Sequence, residues 1–170
     1  MKFKVKDENY LKIVNNILNN DIFLNIDNIE HHGTSRLSHS LRVSYYSYKI
    51  TKKLKLNYIN TARAGLLHDF FMSYEDRNKR EKLLSTFTHP KYALINASNN
   101  FKLNNMEKNI IRSHMFPLNY AIPKYSESWI VSFVDKCVAV YEFITCYRYQ
   151  LSYATNYLYL FIIVSLFKLY

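Results

Sequence analysis

Glycine and proline are scarce in this 170-residue chain: Gly33 and Gly65 are its only glycines, and Pro90, Pro117 and Pro123 its only prolines. So few turn formers leave little for a strand-rich fold and suit long uninterrupted helices. The length allows one core and requires no second, so the expectation is an all-α, single-domain bundle of about six to seven helices. Cysteine is also rare. Cys137 and Cys146 lie nine positions apart on a predicted helix, a separation of roughly 13 Å that no disulfide spans. Free thiols, and no charged-then-apolar leader, lead us to expect a cytoplasmic protein. A Walker-type loop and a Gly-x-Ser-x-Gly elbow are both missing, which argues against an ATP-driven motor and a serine nucleophile.

Acidic residues are outnumbered, 13 against 23 Lys and Arg, for a formal net charge of +10. That excess favours anionic partners without separating nucleotides from RNA or acidic lipid. Lys2, Lys4, Lys6 and Lys12 read as a solvated face. Most of the tyrosines fall at helical spacing with aliphatics and are expected to pack the core.

Apolar spacing at Tyr10, Ile13, Val14, Ile17 and Leu18 predicts a helix over 9–19, followed by an irregular stretch over 21–33 with one short turn. Thr34 or Ser35 caps a second helix to about Leu54, with Leu37, Leu41, Tyr45 and Tyr48 as its buried stripe. Asn57 caps a third through Phe71, and Ser73 to Lys82 reads as a connection. His89-Pro90 is expected to open a fourth helix, since proline is tolerated at a first helical position. Asn104 or Asn105 caps a fifth reaching Met115. A sixth runs from about Ser126 to Arg148, and a last follows Gln150. This last segment, Leu151 to Tyr170, is apolar with Lys168 its one charge, but its densest part is shorter than the roughly 20 residues of a membrane span. We expect a buried terminal helix and no membrane partner.

The chemistry concentrates in His68-Asp69, which closes the apolar run Ala64-Gly65-Leu66-Leu67. An imidazole and a carboxylate there are costly to bury without compensation, and a divalent cation supplies it. The pair reads as metal ligands. Other candidates fall on the neighbouring predicted helices: His39, His89, His114 and Asp135. Asp135 shares a helical face with Val131 and Val138, and His114 with Ile110 and Ile111, so both point to the core. His31 and His32, just before Gly33, read as loop residues and are set aside.

With His39, the His68-Asp69 doublet and Asp135 in that order, the sequence resembles the HD-domain metal-dependent phosphohydrolases over most of residues 34–145. The presence of His89 and His114 between doublet and last Asp resembles the two-metal, six-ligand members, including HD-type dinucleoside tetraphosphate hydrolases. The resemblance implies that His39, His68, Asp69 and Asp135 hold one ion and His89 and His114 a second, with Asp69 bridging. Such ligands suit Fe, Mn, Co, Ni or Zn. A pair of ions lowers the pKa of a shared water, so hydrolysis would use a metal-bridged hydroxide, with His68 and Asp69 at its centre. Arg36 and Lys136, the nearest basic residues in sequence, are candidate phosphate contacts.

The expected partner is a small phosphorylated substrate, a nucleotide or related compound. The competing readings are a phosphodiesterase acting on RNA or a cyclic dinucleotide, a basic helical module binding RNA or an anionic membrane without catalysis, and a single structural ion. Oligomeric state is open at this level.

Overall fold

The computed structural model describes residues 3–31, 34–72 and 79–167, with side chains at 30–31, 79–86, 154 and 158–167 excepted. Helix α1 (Glu8–Leu18) begins where the Asp7 side chain accepts from Tyr10 N–H, and it buries Tyr10, Val14 and Ile17. A short helix α2 (Asp21–Leu24) and a 3-10 turn (Asn25–Asn28) follow. Two-residue strands β1 (Glu30–His31) and β2 (Thr34–Ser35) then pair antiparallel, giving the expected irregular stretch more order than one turn. His32 and Gly33 lie outside the described residues.

Ser35 caps α3 (Arg36–Lys53) by accepting from Ser38 N–H. Of the expected stripe on this helix Tyr48 is buried, but Leu37, Leu41 and Tyr45 are only half-buried, and the deep face also carries Arg36, His39, Ser40, Val43, Ser44, Ser47 and Thr51. Small hydroxyls let α4 (Tyr58–Leu67) come close. Tyr10 Oη donates to Ser44 Oγ at 2.7 Å, and Ser44 Oγ donates to the Ala62 carbonyl at 2.6 Å, tying α1, α3 and α4 together through the core. A Cβ on Gly65 would stand 3.1 Å from Ser44 Cα, so any larger residue there would push α3 and α4 apart by a few tenths of an ångström.

Asn57 caps α4 as expected, but the helix stops at Leu67 rather than Phe71. Helix α5 (Lys79–Asn100) corrects the expected start at His89-Pro90, because Pro90 lies inside it. The expected connection from Ser73 to Lys82 is helical from Lys79, and 73–78 lie outside the described residues. Helix α6 (Asn105–Ser113) opens with a capping box, Asn104 accepting from Glu107 N–H at 2.9 Å and Glu107 from Asn104 N–H at 2.9 Å. Buried Glu107 also accepts from Arg63 Nε at 2.7 Å, which locks α6 to α4.

Helix α7 runs unbroken from Ser126 to Phe167, 42 residues, so the expected break at Gln150 is absent. At 1.5 Å per residue it is roughly 63 Å long. Its first half packs on α3, α4 and α6, whereas Leu151, Tyr153 and Tyr157 are exposed. The described part of the C-terminal segment is therefore not the buried helix expected. Among the described residues no helix is long and apolar enough to cross a membrane.

The core joins Tyr10, Val14 and Ile17 to Val43 and Tyr48, Leu66 and Leu67, Ile110 and Ile111, and Val131 and Val134. Tyr10, Tyr45, Tyr48 and Tyr58 stack edge or face in one cluster. The wider expectation for tyrosine fails, since Tyr46, Tyr92, Tyr120, Tyr141, Tyr147, Tyr149, Tyr153 and Tyr157 are exposed. Lys4, Lys6 and Lys12 are exposed as expected.

Candidate metal centre

Five helices deliver six imidazoles and carboxylates to one buried place: His39 from α3, His68 and Asp69 at the end of α4, His89 from α5, His114 at the end of α6, and Asp135 from α7. All six are buried. His39 Nε2 lies 3.0 Å from Asp135 Oδ1. His68 Nε2 is 3.6 Å from the same Asp135 oxygen and 3.7 Å from Asp69 Oδ2. The other oxygen of Asp69, Oδ1, is 3.3 Å from His89 Nε2 and 3.6 Å from His114 Nε2, and those two nitrogens are 2.9 Å apart. Asp69 stands between two groups of imidazoles, one oxygen toward each.

Two ring orientations are set by the backbone. His68 and His114 are the C-cap residues of α4 and α6. Each donates Nδ1–H to the carbonyl three residues back, Gly65 and Ile111 respectively, at 2.8 Å. Their Nε2 atoms are left as lone pairs directed inward, the arrangement of a metal-binding imidazole. Ser132 Oγ secures the second of these ends by donating to the His114 carbonyl at 2.6 Å.

A divalent cation fits this donor set. In the ring tautomer just described, the His68 Nε2 lone pair faces two carboxylates with no hydrogen-bond partner among the described residues. That contact repels unless positive charge lies between. The titration behaviour says the same. Burial alone would lower His39, yet its contacts with Asp135 and Glu142 raise it to about 10. His68 is likewise raised against the effect of burial, chiefly by Asp69. Burial would raise Asp135, but His39 and His68 hold it well below the usual carboxylate range. The ionised carboxylates hold protons on the neighbouring imidazoles, a demand that cations would meet equally. His114 behaves oppositely, pushed down to about 3 by burial and then by His68 and His89. Two groups have donor atoms within 4.8 Å of one another, His39-His68-Asp135 and His68-Asp69-His114, with His68 common to both. His89 stands beside the second.

One residue of the site escaped the sequence reading. Glu142, buried on α7 two turns past Asp135, places Oε2 2.8 Å from His39 Nδ1 and accepts from Arg42 Nη1 through Oε1 at 2.6 Å. His39 is thereby held on both nitrogens by carboxylates seven residues apart on one helix. That i, i+7 spacing was the available signal.

The two basic candidates differ. Arg36 is buried, donates Nη1–H to the Phe71 carbonyl at 2.5 Å and lies over the Phe71 ring at 3.9 Å. Burial lowers its pKa, and nearby Asp69 opposes that. Its Nε has no hydrogen-bond partner among the described residues. Phe71 in turn stacks on His89, ring centroids 5.0 Å apart. Lys136 directs Nζ to the His114 carbonyl at 3.1 Å, the Ser132 carbonyl at 3.0 Å and Ser132 Oγ at 2.8 Å. Its ammonium braces the end of α6.

Against models of known families, residues 36–140, more than half of the chain, match the HD domain. No match to the chain was found among curated proteins or among solved structures.

Proposed function

The chain belongs to the HD domain family, and from the geometry of its buried cluster we propose that it is a metal-dependent phosphohydrolase cleaving a phosphoester or phosphoanhydride of a nucleotide or related compound. HD domains bind divalent metals, and as a family they are metal-dependent phosphohydrolases in general. The observation that carries the reading is the convergence of six ligating side chains from five helices around Asp69.

In this reading His39, His68, Asp69 and Asp135 would hold one ion, and His89 and His114, together with Asp69, would hold a second. Fe, Mn, Co, Ni and Zn suit these nitrogen and oxygen donors. Divalent cations supply an activated water and neutralise charge at the phosphorus centre. The chain's own residues supply position. Glu142 and Arg42 fix His39, and the Gly65 and Ile111 carbonyls fix His68 and His114. Arg36, with an unused Nε–H close to Asp69, is the better phosphate contact. Lys136 acts through His114, because its donors are directed at the end of α6.

The test begins with metal content. Purified protein is expected to carry close to two transition-metal ions, and Asp69→Ala to lose both metal and turnover while staying helical. Full hydrolysis by that variant would overturn the reading. Substrate class follows from a screen of nucleotides, dinucleoside polyphosphates, cyclic dinucleotides and RNA against protein reloaded with Mn, Fe, Co or Ni. Cleavage of RNA or cyclic dinucleotides alone would move the substrate to a phosphodiester. Metal-dependent folding without turnover on any of them would leave a structural ion.

A further inference from the structure

Helix α7 has two faces with different occupants. At 100° per residue, Val131, Asp135, Val138 and Glu142 share the side that packs on the bundle and closes the metal centre. About 180° round the axis lies a second stripe: Phe133, Cys137, Val140, Ile144, Tyr147 and Leu151. The spacing alternates four and three without a fault, the a/d register of a heptad. All six are open to solvent, Phe133 at 68%, Val140 at 58%, Ile144 at 51%, Tyr147 at 59%, Leu151 at 54%, and Cys137 exposed. In sequence the same register continues through Ala154, Leu158 and Phe161. Single exposed apolar residues are ordinary on any protein, but an exposed stripe in unbroken heptad phase is the pattern of a helix that packs against a partner helix.

We infer that this chain associates with a second copy of itself through this seam, forming a left-handed two-stranded coiled coil with the two bundles on its outer sides. Three observations select a second copy as the occupant. The seam is self-complementary, since apolar residues fill every a and d position from 133 to 151. Its flanks specify no oppositely charged partner: Tyr141, Phe143, Gln150 and Tyr157 are uncharged, and Lys136 is turned toward Ser132 and the His114 carbonyl. Arg148 is the one outward charge there, so two copies of a chain of net charge +10 can meet along α7 with little repulsion. The same scarcity of Lys and Arg disfavours an anionic membrane, which calls for a basic flank.

The third observation is area. At ~150–200 Å² per large side chain, more than half of it open, the seam with Tyr141 and Phe143 offers roughly 700 Å² per copy. A pair would bury about 1,400 Å², within the range of specific interfaces.

Sedimentation equilibrium on the full-length, metal-loaded protein over a wide concentration range tests this. The expected mass is twice 20.4 kDa. Ile144→Lys combined with Leu151→Lys is expected to give a monomer with unchanged helicity and metal content, because both side chains are exposed in the single chain. Tyr149→Lys, on the far side of the helix, is expected to leave the dimer intact. A second readout needs no variant: tagged and untagged wild-type chains, co-expressed, should purify together. A wild type that stays monomeric at every concentration overturns the inference, as does a double-lysine variant that still dimerises. Binding of monomers to phosphatidylserine vesicles without dimerisation would assign the seam to a lipid surface and overturn it as well.

Discussion

His39 is the most constrained of the candidate ligands, with Asp135 on one ring nitrogen and Glu142 on the other. Outer partners of this kind typically carry 10–100-fold of metal affinity. Glu142→Gln keeps the volume and removes the charge, so competition with a chelator is expected to show a loss of that size at unchanged helicity. Equal affinity would reduce Glu142 to a partner of Arg42. The same imidazole governs the pH response of chelated protein. With its proton held to about 10 in the folded chain and an ordinary value of 6.5, His39 contributes stability fully below 6.5, and that contribution is lost as pH rises through 10. His114, pushed down to about 3, is neutral when folded but takes a proton when unfolded below 6.5, so it lowers stability as pH falls. The melting temperature of chelated protein should therefore peak near pH 6.5 and decline on both sides. A steady climb from neutral into alkaline pH would contradict this. The six converging residues were legible because His68, Asp69, His114 and Asp135 are costly groups on apolar helical patterns, and His39 and His89 complete the order of a known family pattern. Glu142 was not, because its flanks, Tyr141 and Phe143, sit on the exposed side and conceal the face it occupies.

At the level of elements, α4 ends just before the His68-Asp69 doublet, and His68 itself keeps helical backbone angles (φ −59°, ψ −33°). The packing of α4 on α3 sets the position of the doublet. Gly65→Val would push a branched side chain against Ser44 Cα, already 3.1 Å from a Cβ at that position. Overpacking of this kind costs about 2 kcal/mol, or roughly 4–8 °C in a chain of this size, and calorimetry should show it. A variant as stable as the parent would mean that the helices part freely. Caps were read correctly at Ser35, Asn57 and Asn104, where short polar side chains meet orphan amides. Two boundaries were not. Pro90 resembles a first-turn residue, but helix-forming Lys79 to Leu84 carry α5 through it. At Gln150 only composition changes, and neither glycine nor proline is present to stop α7.

For the whole molecule, scarcity of glycine and proline was enough to give an all-α bundle, and the order of ligands gave the family. The fate of the C-terminal segment was less legible, because an apolar run suits a buried helix and an exposed seam alike until its contacts are known. The basic exterior and the buried carboxylates have a joint consequence for binding. Titrating inorganic phosphate into chelated protein is expected to give no saturable heat, whereas protein reloaded with Mn should bind it. Equal binding by both forms would separate anion recognition from the metals. The reason lies partly in the backbone. α4 and α6 both terminate on candidate ligands, His68 and His114, so the negative poles of two helix macrodipoles converge on the same point. Aligned peptide units thus draw cations inward even where side chains are neutral and turn anions away.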